Sequence, residues 1–246
     1  GGLVGCDGAI YGMPYNADSV LKVIPERDGE EDRIEFLYGY GENALSLGGW
    51  KWHGGVAGYG GPNSGLGSVL YAVPSHASRV LQVTVETGEV RILGHQDIDS
   101  GPLWEHHWRW KRGQYKYGGA VLGPDKCVYC LPYDAHQVLK VCPSGEVELM
   151  EIDPEYVDDF RCHNKWQNGF AGADGCVYAI PVSAPAILKV NTETGQVTTI
   201  ARDIMGVGKE KWEGGVMNPA DGTLYCVPQN SSVVLKIDPL GATELA

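Results

Sequence analysis

Apolar residues along this chain fall in short runs broken by Gly, Pro, Asp and Ser, and no segment keeps a convincing helical period over ten residues. The inserts Asp97–Gln114 and Asp153–His163 are the two stretches where a helix is allowed for. Short apolar runs bounded by turn residues predict β-strands. The runs also recur. Tyr-x-x-Pro occurs at Tyr11–Pro14, Tyr71–Pro74, Tyr129–Pro132, Tyr178–Pro181 and Tyr225–Pro228. Seven residues after each proline stands a leucine: Leu21, Leu81, Leu139, Leu188 and Leu235. Valine precedes it in four copies and Ile187 in the other. Gly2, Gly119, Gly169 and Gly215 lie nine or ten residues ahead of their tyrosines. In the second copy a glycine-rich insertion, Gly58–Ser68, stretches the distance from Gly55 to sixteen.

Each copy reads as four short strands. The first follows the double glycine, as in Gly215-Val216-Met217, and an Asp-Gly turn closes it at Asp7-Gly8, Asp174-Gly175 and Asp221-Gly222. The second carries the tyrosine, the third is Val-Leu-Lys-Val, and the fourth follows a Thr-Gly or Ser-Gly turn, as at Glu89–Leu93 and Gln196–Ile200. A four-stranded unit cannot bury both faces alone. Radial packing of such units solves that and leaves only short edges. The expectation is an all-β chain, a β-propeller of five four-stranded blades in a single domain, 1–246, with units at about 1–47, 48–113, 114–163, 164–209 and 210–246. A linear β-solenoid is the structural rival, although its coils are usually shorter. Copy one begins at its glycines, so further blades ahead of Gly1 stay open.

Composition supports many strands and turns: hydrophobic residues make up 43%, with Gly 35 and Pro 14. A net charge of −12 argues against nucleic acid, which requires a basic face, and against anionic membranes. No apolar run is long enough to insert in a membrane as a helix, and no signal-peptide pattern opens the chain. The chain starts at Gly1-Gly2 without a methionine, as expected if something upstream has been removed, so compartment is left open. Seven cysteines is an odd number. Cys127, Cys130, Cys176 and Cys226 recur beside the repeat tyrosines, as small buried apolar residues do. Cys127-x-x-Cys130 has redox or zinc spacing, but residues three apart on a strand point to opposite faces.

The stretch Ile187–Val197 resembles the repeat of the YVTN and gluconolactonase-like (senescence-marker) propellers, and Gly67–Val73 is similar to the blade signature of five-bladed tachylectin-type lectins. This resemblance implies that first strands line a central channel and that the loops after the second strands crowd one binding face. Two repeated features then map to that face. One is Lys-Trp-x-Gly-Gly or its near form: Lys51-Trp52-His53, Lys165-Trp166-Gln167 (followed by Asn168-Gly169) and Lys211-Trp212-Glu213, with Lys116-Tyr117 in copy three lacking the spacer. Trp and Tyr117 offer flat apolar faces and Lys a charge, so together they are candidates for a stacking ring around a sugar. The competing reading packs the Trp between blades. The spacers His53, Gln167 and Glu213 are polar each time and different each time, which suits a wet or ligand-facing surface. The other feature is the loop after each proline, from Tyr15–Asp18 to Gln229–Ser232, whose residues are also ordinary turn formers.

One insert, Trp104–Arg112, is aromatic and basic, and its Trp104, Trp108 and Trp110 are candidate protein contacts. His106-His107 within it has no third metal ligand by spacing. The expected function is a non-catalytic binding or assembly module recognising a carbohydrate or protein partner on the channel-side face, without cofactor or metal. The alternative is a gluconolactonase-like metal-dependent lactonase or hydrolase, or a glycosidase with paired carboxylates. Against it, Glu213 alone enters a channel strand, although Glu42 and Glu105 in inserts are candidates to add to it.

Overall fold

In a computed structural model describing residues 1–26, 29, 31–45, 49–61, 63–94, 98, 115–152, 163–206, 208–241 and 243–245, the chain forms five four-stranded antiparallel sheets. Blade one comprises β1 (Gly2–Val4), β2 (Ile10–Gly12), β3 (Val20–Ile24) and β4 (Arg33–Leu37). Blade two comprises β5 (Trp52–Gly58), β6 (Val69–Pro74), β7 (Val80–Thr84) and β8 (Glu89–Leu93). Blade three comprises β9 (Tyr117–Leu122), β10 (Val128–Pro132), β11 (Gln137–Val141) and β12 (Val147–Glu151). Blade four comprises β13 (Trp166–Ala171), β14 (Cys176–Pro181), β15 (Ile187–Asn191) and β16 (Val197–Ile200). Blade five comprises β17 (Trp212–Met217), β18 (Leu224–Pro228), β19 (Leu235–Ile237) and β20 (Glu244–Leu245). Each sheet is a simple meander whose strands pair in chain order. The one α-helix among the described residues, α1 (Arg202–Met205), lies outside the inserts where a helix was allowed for; of those inserts only Ile98 and His163 are described.

Side chains alternate across the tyrosine strands, and in β6, β10 and β14 both faces are buried. In β6, Tyr71 and Val73 pack with Val128, Cys130 and Leu139 of blade three, while Leu70 and Ala72 pack with Tyr11, Met13 and Val20 of blade one. The same scheme joins blades three and four, and blades four and five. First strands also meet in sequence, β1 on β5, β5 on β9, β9 on β13 and β13 on β17. Among the described residues no comparable packing joins β17 to β1. The four repeat cysteines are buried free thiols in these seams.

The Asp-Gly turn, the repeat tyrosine and the lysine of Val-Leu-Lys-Val form one unit. In blade four the Tyr178 hydroxyl donates to Asp174 Oδ2 at 2.7 Å, and Lys189 Nζ lies 2.9 Å from the same oxygen. Blade one repeats it with Asp7, Tyr11 and Lys22, and blade three with Asp125, Tyr129 and Lys140, where the turn is Asp125-Lys126. Partial burial opposes ionisation of Asp174, but Lys189 and Tyr178 override it and hold the carboxyl at about 2. Blade two has Gln82 in place of the lysine, and its amide donates to the Tyr71 hydroxyl.

Candidate functional site

The Lys-Trp pairs face the seams and not the channel. Trp52, Trp166 and Trp212 are 5%, 0% and 1% exposed, and Tyr117 is likewise buried. Each indole Nε1 donates to a carbonyl at the far end of its own blade's loop: Arg79, Ala186 and Val233, at 2.8–2.9 Å. The lysines are buried as well. Lys51 Nζ donates to the Ala17 carbonyl at 2.6 Å and Lys211 Nζ to the Ala184 carbonyl at 2.8 Å, in each case on the preceding blade. Lys165 is equally buried. The backbone follows suit: Lys51 N–H donates to Tyr15 O, Lys165 N–H to Tyr133 O and Lys211 N–H to Val182 O. These residues staple one blade to the next. The stacking-ring expectation for Trp52, Trp166, Trp212, Tyr117 and their lysines is therefore corrected, because a ring closed on both faces has no surface left for a ligand.

The residue after each Trp behaves differently. Pairing of β5 with β6, β13 with β14 and β17 with β18 is interrupted immediately after the Trp. A bulge of this kind re-aims a side chain that a regular strand would direct elsewhere. His53, Gln167 and Glu213 sit in these bulges and converge on one cavity of about 470 Å³. In blade three the pairing skips at the same place, and the extra residue is Gly118. Copy three therefore keeps the spacer position but fills it with glycine. A Cβ at Gly118 would approach Gln167 Cγ and Tyr133 Cδ2 to 3.1 Å, so the glycine leaves the cavity open.

Two further positions complete the cavity wall. The residue before each staple lysine has a left-handed backbone: Trp50 (φ 59°), Tyr115 (φ 57°), Asn164 (φ 58°) and Glu210 (φ 51°). Tyr115 and Asn164 line the cavity. Asn164 N–H donates to Asp134 Oδ1 at 2.8 Å, as Trp50 N–H does to Asn16 Oδ1. The second contribution is the loop after the proline, which supplies Tyr133 and Asp134. Tyr15, Trp50, Tyr115 and Tyr133 continue as a chain of ring contacts with centroids 5.3–6.5 Å apart, and His76 packs edge-on to Trp50 and Tyr115.

Burial shapes the chemistry of this face. It pushes Tyr133 up to about 12, with Asp134 and Glu213 adding to it, and Tyr115 up to about 12. Both phenols stay protonated donors at neutral pH. Burial and the nearby Lys116 charge take His76 down to about 4, so it is neutral there. Burial raises Asp134, against the pull of the Asn164 N–H and of Lys165. His163 Nδ1 lies 3.5 Å from Asp134 Oδ1 at the cavity edge. Among the described residues, no three His, Cys, Asp or Glu side chains gather as a metal site.

No protein-family model matches this chain, and no curated protein matches it in sequence. Solved structures do share its architecture. Virginiamycin B lyase from Staphylococcus aureus superposes with a TM-score of 0.61 at 13% identity, over 100% of this chain and 68% of that one. A catalytically inactive form of the same lyase with Quinupristin gives 0.64 at 12% identity, over 99% and 68%. A candidate 6-phosphogluconolactonase from Bacteroides uniformis gives 0.58 at 14% identity, over 98% and 69%. The fold is a β-propeller. At these identities the likeness carries the propeller architecture and none of the chemistry.

Of the residues expected from the sequence, the propeller brings His53, Gln167 and Glu213 together and sends the Lys-Trp pairs into the seams. Trp104, Trp108 and Trp110, with Glu105 and the His106-His107 pair, lie outside the described residues. Glu42 sits in a 3₁₀ turn (Gly41–Asn43) and not on the cavity. Tyr115, Asn164 and His163 had no sequence signal beyond their places next to repeat or insert residues.

Proposed function

We propose that this propeller is a binding module that takes a carbohydrate in the channel-face cavity. One observation carries the reading: the phenol rings of Tyr115 and Tyr133 stand beside His53, Asn164, Gln167 and Glu213 in a single cavity of about 470 Å³. Flat apolar faces suit the C–H face of a sugar, and mixed donors and acceptors suit its hydroxyls. The volume falls within the range of small-molecule pockets, about 300–1,000 Å³. A protein partner is the weaker reading, since a recess this small admits a side chain or a ring more readily than a surface.

The test is calorimetric titration with a panel of mono- and disaccharides, using the wild-type chain, Gln167→Ala and Tyr133→Leu. At least one saccharide is expected to bind, with each variant weakening it about tenfold, the equivalent of about 1.4 kcal/mol. Absence of binding across the panel, or unchanged affinity in both variants, overturns the reading. The Asp134–His163 contact favours a second reading, acid–base hydrolysis of a bound glycoside or lactone. Turnover of a saccharide or lactone that disappears in Asp134→Asn, while binding persists, would select it.

A further inference from the structure

Among the described residues, the outer faces of blades one and five differ from the other blade faces. Leu21 is 37% exposed, whereas its counterpart Leu81 is fully buried. Ile34 is 63% exposed and its counterpart Val90 is 5%. Ile10 and Phe36 are exposed on the same face. On blade five, Val227 is 59% exposed against 1% for Ile180, and Val216 and Tyr225 are exposed beside it. These residues have the repeat's apolar identities at the repeat's register positions. They are built as seam residues without a seam. Five blades make four buried seam clusters, between one and two, two and three, three and four, and four and five. A closed ring of five would have a fifth, uniting blade five with blade one.

We propose that these two faces bound a gap filled by about two further four-stranded blades of the same repeat, carried on the same polypeptide in the working protein. Two observations select this occupant. The faces continue an interface that the molecule already makes four times in one register, so they fit another blade of this kind. Five blades also match 68% of the virginiamycin B lyase chain, which leaves room for about two more of equal size. A second copy of this chain has no such match in size. The proposal is independent of what the cavity binds, and no result on saccharide affinity bears on it.

Three measurements test it. Mass spectrometry of the polypeptide isolated from its native source is expected to exceed the 26.6 kDa of these 246 residues by about two-fifths. A native polypeptide of 26.6 kDa overturns the proposal. The 246-residue chain by itself is expected to bind a hydrophobic dye, with Phe36→Lys and Val227→Lys reducing the signal and leaving Tm unchanged. Loss of Tm in those variants means that the faces already touch, which also overturns it. Finally, a chain extended by a second copy of residues 114–209 is expected to be monomeric, dye-silent and higher in Tm. If the unextended chain is instead a dye-silent dimer that either substitution separates, a second copy fills the gap and the proposal fails.

Discussion

Trp166 and Gln167 are adjacent in β13, yet the first lies wholly inside the seam with blade three and the second lines the cavity. The seams and the cavity mouth are thus drawn from the same short motif. What separates them is the bulge that follows the Trp. Before it, Trp166 pairs with Pro181 and its side chain is committed to packing. Within it, Gln167 is released from the ladder and turned toward the cavity. Positions the copies share hold blades together, and positions where they differ face the cavity.

The largest expected effect lies in the seam. Trp166→Ala removes a fully buried indole and its bond to the Ala186 carbonyl, and should cost about 3–5 kcal/mol. Chemical denaturation would read this as a lower midpoint. A loss below about 1 kcal/mol would mean that the indole is not a structural element. Lys211→Met keeps the stem and deletes the ammonium, leaving the Ala184 and Gly208 carbonyls without this donor. It should cost about 1–3 kcal/mol, and a variant as stable as wild type would remove the staple role.

Smaller again is Tyr178→Phe, which deletes the hydroxyl that donates to Asp174 and should cost about 1.5 kcal/mol. The same unit predicts acid sensitivity. Asp174 is held at about 2, below the ordinary 3.8, so its contribution is complete above the ordinary value and is lost as pH falls through about 2. His76 adds a second trend at milder pH. It is held at about 4, so stability declines as pH falls from the ordinary 6.5 toward that value, where the unfolded chain takes up the proton first. Tm measured across that range should fall in the wild type, and less in His76→Phe.

The blades were legible because their signals are local. Period-two apolar runs, Asp-Gly turns and five repeats in one register leave little freedom for the backbone. The spacer residues were legible for a related reason: His53, Gln167 and Glu213 vary at a position whose neighbours do not. The Lys-Trp pairs were ambiguous, because an indole and an ammonium suit a ligand as well as a seam, and only burial decides between them. Tyr133 and Asp134 were hidden among residues that also make ordinary turns. Tyr115 and Asn164 depend on a left-handed backbone that Asn tolerates readily but Tyr does not advertise. The outward faces of blades one and five could not be read at all. Their residues carry the same pattern as inner blades, and exposure follows from how many blades surround them.

The most direct measurement is a paired one on the triple variant His53→Ala, Gln167→Ala and Glu213→Ala: its Tm, and its affinity for whichever saccharide the wild type binds. The account predicts a stability change within about 0.5 kcal/mol per site, as for positions outside the packed seams, together with loss of saccharide binding. A Tm that falls as far as that of Trp166→Ala, or binding that survives all three substitutions, would contradict it.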